Sequence, residues 1–191
     1  MSGETATELV LIRHAPALTG ARLCGRTDVK ADLGDTARIA AVRVLAGLPV
    51  RLIVSPAQRC QHTAQALWPD REGALDADLW EQDFGAWEGR PYADLPDLGP
   101  LPPVDLAHHR PPMGESFADL AARVWPALNV IADGGNATIV AHAGTIRAAL
   151  SLALDSLVSG LAFEIAPLSV TRIARLTDGA GWVVRGVNGQ P

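Results

Sequence analysis

The sequence predicts an α/β fold with a mainly parallel central sheet and an antiparallel edge, and three observations carry that prediction. Short apolar runs at Leu9–Ile12, Val50–Val54 and Thr138–Ala141 are each followed, directly or across a loop, by residues with helical apolar spacing, the pattern of strand-to-helix units. Two of those runs end in a histidine, at His14 and His142. The segments Leu168–Leu176 and Trp182–Val187, either side of Asp178-Gly-Ala-Gly181, read as a hairpin that supplies the antiparallel edge.

In chain order, Leu9-Val-Leu-Ile is too short for a helix and stops at Arg13-His14-Ala-Pro16, so it reads as a buried strand with a polar C-terminal tip. A glycine-containing loop, residues 17–34, follows and carries Cys24-Gly-Arg26-Thr-Asp28; a loop of that length inside a compact domain is usually functional or mobile. Asp35 offers an N-cap to a helix whose apolar face is Ala37, Ala40, Ala41, Val44, Leu45 and Leu48, and Pro49 stops it. After the second strand, Ser55-Pro-Ala-Gln58 predicts a helix start with Ser55 as the cap and Pro56 in the first helical position. Residues 70–78 read as an acidic turn. Seven prolines between Arg90 and Pro112 predict an irregular excursion, with His108 and His109 exposed to solvent. Gly114-Glu-Ser116 caps a further helix through Leu120, Val124, Leu128 and Ile131, which Pro126 either kinks or restarts. The last helix is predicted over Thr145–Leu154. With 191 residues, the whole chain (1–191) is expected to form a single domain with a proline-rich insertion at about 90–113.

Bulk properties narrow the function. A net charge of −5 and the absence of a basic run argue against nucleic acid as a partner. No apolar stretch is long enough to span a bilayer, and the acidic, polar start Met1–Glu8 does not read as a signal peptide. Cys24 and Cys60 are too few and too unpatterned for a disulfide framework or zinc site. A cytoplasmic location without membrane contact is therefore expected. Lys30 is the only lysine among the 16 basic residues; arginine's planar fork suits bidentate contact with phosphate or carboxylate.

The candidate chemistry lies at the strand tips. Ligands of open α/β sheets bind beyond the carboxyl ends of the strands, where Arg13, His14 and His142 fall. Arg59 is placed in the first turn of its helix, where a cation is unfavourable unless an anion shares the site, or else lies along the helix surface. Arg26 could reach a ligand anion or could be an ordinary loop charge. Glu81, Asp83 and Glu88 stand among aromatics in Leu79-Trp-Glu-Gln-Asp-Phe-Gly-Ala-Trp-Glu-Gly89, and a carboxyl group packed against apolar rings can retain a proton as a general acid.

Leu11-Ile-Arg13-His14-Ala, Ser55-Pro-Ala-Gln-Arg59-Cys-Gln-His-Thr63-Ala, Glu81-Gln-Asp-Phe-Gly-Ala-Trp-Glu-Gly, Gly114-Glu-Ser and Val140-Ala-His142-Ala-Gly144 occur in an order that resembles the histidine phosphatase superfamily. The resemblance extends over roughly residues 8–160, and Leu23-Cys-Gly-Arg-Thr-Asp-Val29 looks most like its α-ribazole phosphatase branch. It implies a three-layer α/β/α sandwich of phosphoglycerate mutase type and a metal-independent phosphomonoesterase without a cofactor. The implied substrate is a small-molecule phosphate monoester, with α-ribazole 5′-phosphate a candidate. Phosphoglycerate mutase-type transfer and a non-catalytic phosphate- or partner-binding role are the alternatives, and oligomeric state is left open.

The same resemblance implies that His14 is the nucleophile and Glu81 the acid and base. Arg13, Arg59, His142 and Gly144 would bind phosphate, and Arg26 would contact substrate. Two alanines, Ala15 and Ala143, replace the glycines usual after each histidine, and a Cβ disfavours positive φ there. Family hydrogen bonds from the loop after His14 would have to come from Thr19, Arg26 or Thr27. Trp80, Trp87 and Tyr92 are the expected wall for the leaving group.

Overall fold

The computed structural model describes residues 6–177 and 181–191. Most of the reading of Met1–Glu8, and the Asp178-Gly-Ala part of the hairpin turn, lie outside them. Strands β1 (Thr7–Arg13), β2 (Leu52–Val54), β3 (Ala74–Leu75), β4 (Ala137–Ala141), β5 (Val170–Arg175) and β6 (Trp182–Gly189) form one sheet in the order β3-β2-β4-β1-β5-β6. The pairs β3–β2, β2–β4 and β4–β1 are parallel, whereas β1–β5 and β5–β6 are antiparallel. This is an α/β/α sandwich with a mainly parallel sheet, and the antiparallel edge falls where the C-terminal hairpin was predicted.

Alternation along β1 builds two cores. Leu9 and Leu11 face one side with Ile139 and Ile173, under helices α4 (Phe117–Asp133) and α5 (Ala143–Ala153). Val10 and Ile12 face the other with Val54 and Val140, under α1 (Thr36–Ala46) and α2 (Gln58–Leu67). A period of two on a strand buried on both faces explains why the run is uniformly apolar rather than alternating.

Several local expectations change. Ser55 does not cap α2: the helix begins at Gln58 with Ala57 in the cap position and no side-chain cap bond. Asp28 from the long loop takes that work, since its carboxylate accepts from the backbone N–H of Gln58 at 2.8 Å. The segment read as an acidic turn contains β3 and a 3-10 turn at Ala77–Leu79. Pro126 neither splits nor ends α4, which runs unbroken for 17 residues behind a Ser116–Asp119 capping box. The proline-rich segment carries a 3-10 turn at Tyr92–Asp94 and a six-residue helix, α3 (Pro103–His108). His109 is not solvent-exposed as expected: it is half-buried and stacks on Trp87 with ring centroids 5.5 Å apart. Among the described residues no helix is long and apolar enough to cross a membrane.

Candidate active site

Parallel register delivers the site. Arg13 pairs with Ala141, and Val54 with Val140, so the residues just beyond three adjacent strands, His14, Ser55 and His142, emerge side by side at the carboxyl edge of the sheet. The two imidazoles stand edge to face with centroids 5.2 Å apart, and both are buried.

His14 is fixed in one tautomer. Its Nδ1 lies 2.6 Å from the carbonyl oxygen of Ala15; a carbonyl can only accept, so Nδ1 carries the proton and Nε2 keeps its lone pair. Burial, reinforced by the charges of Arg59 and Arg13 and only partly opposed by that hydrogen bond, pushes the His14 pKa down to about 3. The ring is therefore neutral at physiological pH. His142 is driven well below the ordinary imidazole value by the same burial, with the charges of Arg59, Arg123 and Arg13 adding to it. Its Nε2 is 2.8 Å from Ser55 Oγ, and the indole of Trp80 stacks on its ring at 6.3 Å.

The two arginines are oriented by carbonyls. Arg59, only 1% exposed, donates from Nη2 to Gly25 O at 2.6 Å and from Nη1 to Thr27 O at 3.2 Å. Arg13 donates to Ile165 O at 2.5 Å. Neither forms an ion pair with a carboxylate among the described residues. A guanidinium held by carbonyl oxygens keeps its charge uncompensated, and the residual positive potential favours a bound anion.

Glu81 reaches the same place from the segment before α4. Its carboxylate accepts from the N–H of Gly144 at 3.2 Å and of Gln82 at 3.0 Å. The approach depends on glycine, because a Cβ at position 144 would overlap Glu81 Oε1. The Gly144 N–H, second residue of α5, is thus engaged with Glu81. Arg123 braces the segment from behind, donating to the carbonyls of Asp78, Trp80 and Glu81 and to the Glu115 carboxylate. Arg26 lies over the Trp80 ring at 5.5 Å, with its guanidinium 3.6 Å from Glu115. Arg13, His14, Arg59, Glu81 and His142 are therefore neighbours, and Arg26 borders them through Trp80.

The rival carboxylates have other work. Glu88 accepts from the backbone N–H groups of Gly25, Arg26, Thr27 and Phe84 and from the Thr27 hydroxyl, at 2.6–3.1 Å. Burial alone would raise its pKa, but these donors outweigh that and hold it below the ordinary carboxylate value. An ionised acceptor caged by donors cannot act as an acid. Thr27, one of three residues that could have replaced the missing loop hydrogen bonds to phosphate, donates its hydroxyl to Glu88 instead. Asp83 Oδ1 accepts from Gly85 N–H at 2.7 Å.

Ala15 and Ala143 need no glycine. Neither adopts positive φ; Ala15 N–H donates to Thr63 Oγ1 at 2.9 Å, and Ala143 is simply the first residue of α5. Sequence reasoning missed the role of Thr63, the part Glu88 plays in holding residues 25–27, and the contact of Ser55 with His142, because these contacts join residues more than 45 positions apart in the chain. Among the described residues no group of three or more His, Cys, Asp or Glu side chains is placed to hold a metal ion.

Comparison with known proteins supplies the family. The profile of the histidine phosphatase superfamily (branch 1) matches residues 9–189. A bifunctional protein of Mycobacterium tuberculosis is 33% identical over 209 residues, covering 94% of this chain and 53% of that protein. The 6-phosphofructo-2-kinase/fructose-2,6-bisphosphatase of Caenorhabditis elegans is 32% identical over 123 residues, 62% of this chain and 27% of its own. The chain thus spans about half the length, or less, of these curated relatives. Among solved structures, a mycobacterial glucosyl-3-phosphoglycerate phosphatase superposes with a TM-score of 0.83 at 22% identity, covering 97% of this chain and 100% of that one. The α-ribazole phosphatase of Shigella flexneri gives 0.80 at 21%, covering 95% and 96%. At such identities these two likenesses speak to the fold alone. The profile match over nearly the whole length goes further, and on it the chain belongs to the histidine phosphatase superfamily.

Proposed function

We propose that the protein is a phosphomonoesterase that works through a phosphohistidine on His14 and acts on a small organic phosphate. The observation that carries this reading is the pinned, neutral His14, whose free Nε2 lone pair stands beside two guanidiniums that have no counter-carboxylate among the described residues.

In the first step the Nε2 lone pair forms an N–P bond while the bond from phosphorus to the alcohol oxygen breaks. That oxygen keeps the bonding pair and takes a proton from Glu81. Arg13, Arg59 and the polar edge of His142 stabilise the charge on the equatorial oxygens, where positioned cations do most of the work in phosphoryl transfer. In the second step the Glu81 carboxylate takes a proton from water, the water oxygen bonds to phosphorus, and the N–P pair returns to Nε2. Glu81 protonates the alcohol only if it enters the first step as the acid, and its contact with the Gly144 N–H keeps it oriented in both steps. The two cysteines are free thiols, which supports a reducing, cytoplasmic setting.

Hydrolysis of p-nitrophenyl phosphate, with acid-labile phosphate trapped on His14 and detected by mass spectrometry, tests the reading. Turnover lost in His14→Ala is the expected result. Absence of turnover and of trapped phosphate in the wild type overturns it in favour of a binding role. A panel of monoesters that includes α-ribazole 5′-phosphate and 3-phosphoglycerate then identifies the substrate, and transfer of the phosphate to an acceptor alcohol in place of water would identify a mutase.

A further inference from the structure

A cavity of about 280 Å³ opens beside Glu81. It is lined by Phe84, Trp87, Leu106, Phe117 and Leu161, with Gln82, His109 and Arg147 as its polar members. Two of its lining residues tie it to the segments that carry the phosphate site. Gln82 is next to Glu81 and donates its N–H to that carboxylate, and Arg147 sits three residues, about one helical turn, beyond Gly144, which donates to the other carboxylate oxygen. Arg13 and Arg147 also hold the same stretch of backbone, one through Ile165 O and the other through Phe163 O. The cavity thus lies on the side of Glu81 marked by Gln82 and Arg147.

The polar lining is incompletely used. Arg147 donates only its Nε–H, to Phe163 O at 2.9 Å, and among the described residues its terminal nitrogens have no hydrogen-bond or ion-pair partner. His109 Nε2 is buried without a partner while its ring stacks on Trp87. A guanidinium in a mostly aromatic and aliphatic pocket recognises an anionic oxygen with more force than it could in water. The volume, at the low end for small-molecule sites, admits a single ring system rather than a nucleotide.

We propose that the cavity receives the leaving group of the substrate, and that this group is a small, flat, largely apolar alcohol bearing a carboxylate or comparable anionic acceptor that pairs with Arg147. The assignment rests on the phosphatase reading above and names its substrate class. Trp80, expected as part of the leaving-group wall, packs on His142 instead, and Tyr92 is 56% exposed; of the three aromatics foreseen, Trp87 alone lines this space.

Two measurements test it. In the first, kcat/KM is compared for 4-carboxyphenyl phosphate and phenyl phosphate in the wild type and in Arg147→Gln. One charge-assisted hydrogen bond predicts a preference of at least about tenfold for the carboxylated ester in the wild type, falling to roughly one in the variant. The ratio cancels any common effect of the substitution on folding or on phosphoryl transfer. In the second, calorimetry compares binding of 4-carboxybenzylphosphonate and benzylphosphonate to the wild type, which needs neither turnover nor a variant. Equal kcat/KM and equal binding for the two members of each pair would overturn the proposal, as would a preference that survives Arg147→Gln. A preference in binding without any turnover would uphold the cavity's specificity while overturning the hydrolytic reading.

Discussion

Replacing Glu88 by Gln is the most informative single change, because it tests whether a carboxylate remote from the chemistry sets the phosphate site. Its two oxygens face donors only: one accepts from Gly25, Arg26 and Phe84, the other from Gly25, Thr27 N–H and the Thr27 hydroxyl. Glutamine keeps one oxygen and turns an NH2 toward the other donor set, so at least one backbone N–H loses its acceptor and meets a like donor. Hydrogen bonds to charged groups contribute about 1.5–3 kcal/mol each, and losing one or two of them while others relax places the cost at about 2–4 kcal/mol. That cost falls on residues 25–27, whose carbonyls at Gly25 and Thr27 orient Arg59. The expected result is a fall of about 10–100-fold in kcat/KM for p-nitrophenyl phosphate, equivalent to about 1.4–2.7 kcal/mol of lost transition-state stabilisation. Weakened inhibition by inorganic phosphate should accompany it. Steady-state kinetics and phosphate inhibition of the purified variant provide the assay. Wild-type kcat/KM together with unchanged phosphate inhibition would refute the chain of dependence from Glu88 through the loop to Arg59.

Other substitutions report on separate parts of the site. Glu81→Gln should slow alkyl phosphates by about 10²–10⁴-fold and p-nitrophenyl phosphate much less, since that leaving group needs little protonation; equal losses would remove Glu81 as the acid. Thr63→Val leaves the Ala15 N–H without its acceptor and should lower stability by about 1–3 kcal/mol in urea unfolding; an unchanged midpoint would show that another acceptor replaces it. Gly85→Ala should destabilise more than a surface change, because Gly85 has φ +50° and a Cβ there would overlap the Pro112 carbonyl. For pH, the folded-state pKa of His14 is depressed to about 3, so the unfolded chain takes up its proton first as pH falls below about 6.5. The stability associated with the neutral ring is fully present above that pH and is lost toward pH 3, by up to about 1.4 kcal/mol per pH unit. His14→Ala should flatten the plot of unfolding free energy against pH in that window, and parallel plots would contradict the assignment.

The sheet was legible because its signals are local. Uniform apolar runs ending in polar residues located β1 and β4, and the hairpin at the C-terminus required only two strands and a turn. Nothing comparable marked β3, whose two residues are exposed and pair with β2 alone. The capping signal at Ser55 failed for a physical reason: its hydroxyl is engaged by His142, a partner 87 residues away, and Asp28 caps α2 from another loop. Pro126 stayed ambiguous because a proline's effect on a helix is decided by packing, and α4 is buried along Leu120, Val124, Leu128 and Ile131. The strand-tip histidines and Arg13 could be placed at one sheet edge from topology. Arg59 stood out only by its place in the first turn of a helix and Glu81 only as one of three carboxylates among aromatics; family resemblance assigned their roles, and the carboxylate that braces their surroundings could not be told from its neighbours by local sequence.

The division of labour among charges explains how an acidic chain presents a phosphate site. Glu88 and Glu115, the carboxylates of the surrounding scaffold, are each compensated: Glu88 by backbone N–H groups and a hydroxyl, Glu115 by Arg123 at 2.9 Å and the Asp83 N–H at 3.0 Å. Burial opposes ionisation of both, yet these partners hold both below the ordinary carboxylate pKa. Arg13 and Arg59, by contrast, are steered by carbonyl oxygens that orient a guanidinium without cancelling its charge. The same two charges therefore serve twice. They attract a tetrahedral anion, and by repelling a proton from the imidazoles they help keep His14 in the neutral form that can attack it. Were either arginine paired with a carboxylate, phosphate affinity and nucleophile protonation would shift in opposite directions, one weakening as the other rose. Supplying backbone carbonyls from the loop at residues 25–27 and from the segment before β5 avoids that conflict, which is why those irregular segments are as much a part of the site as the strand tips.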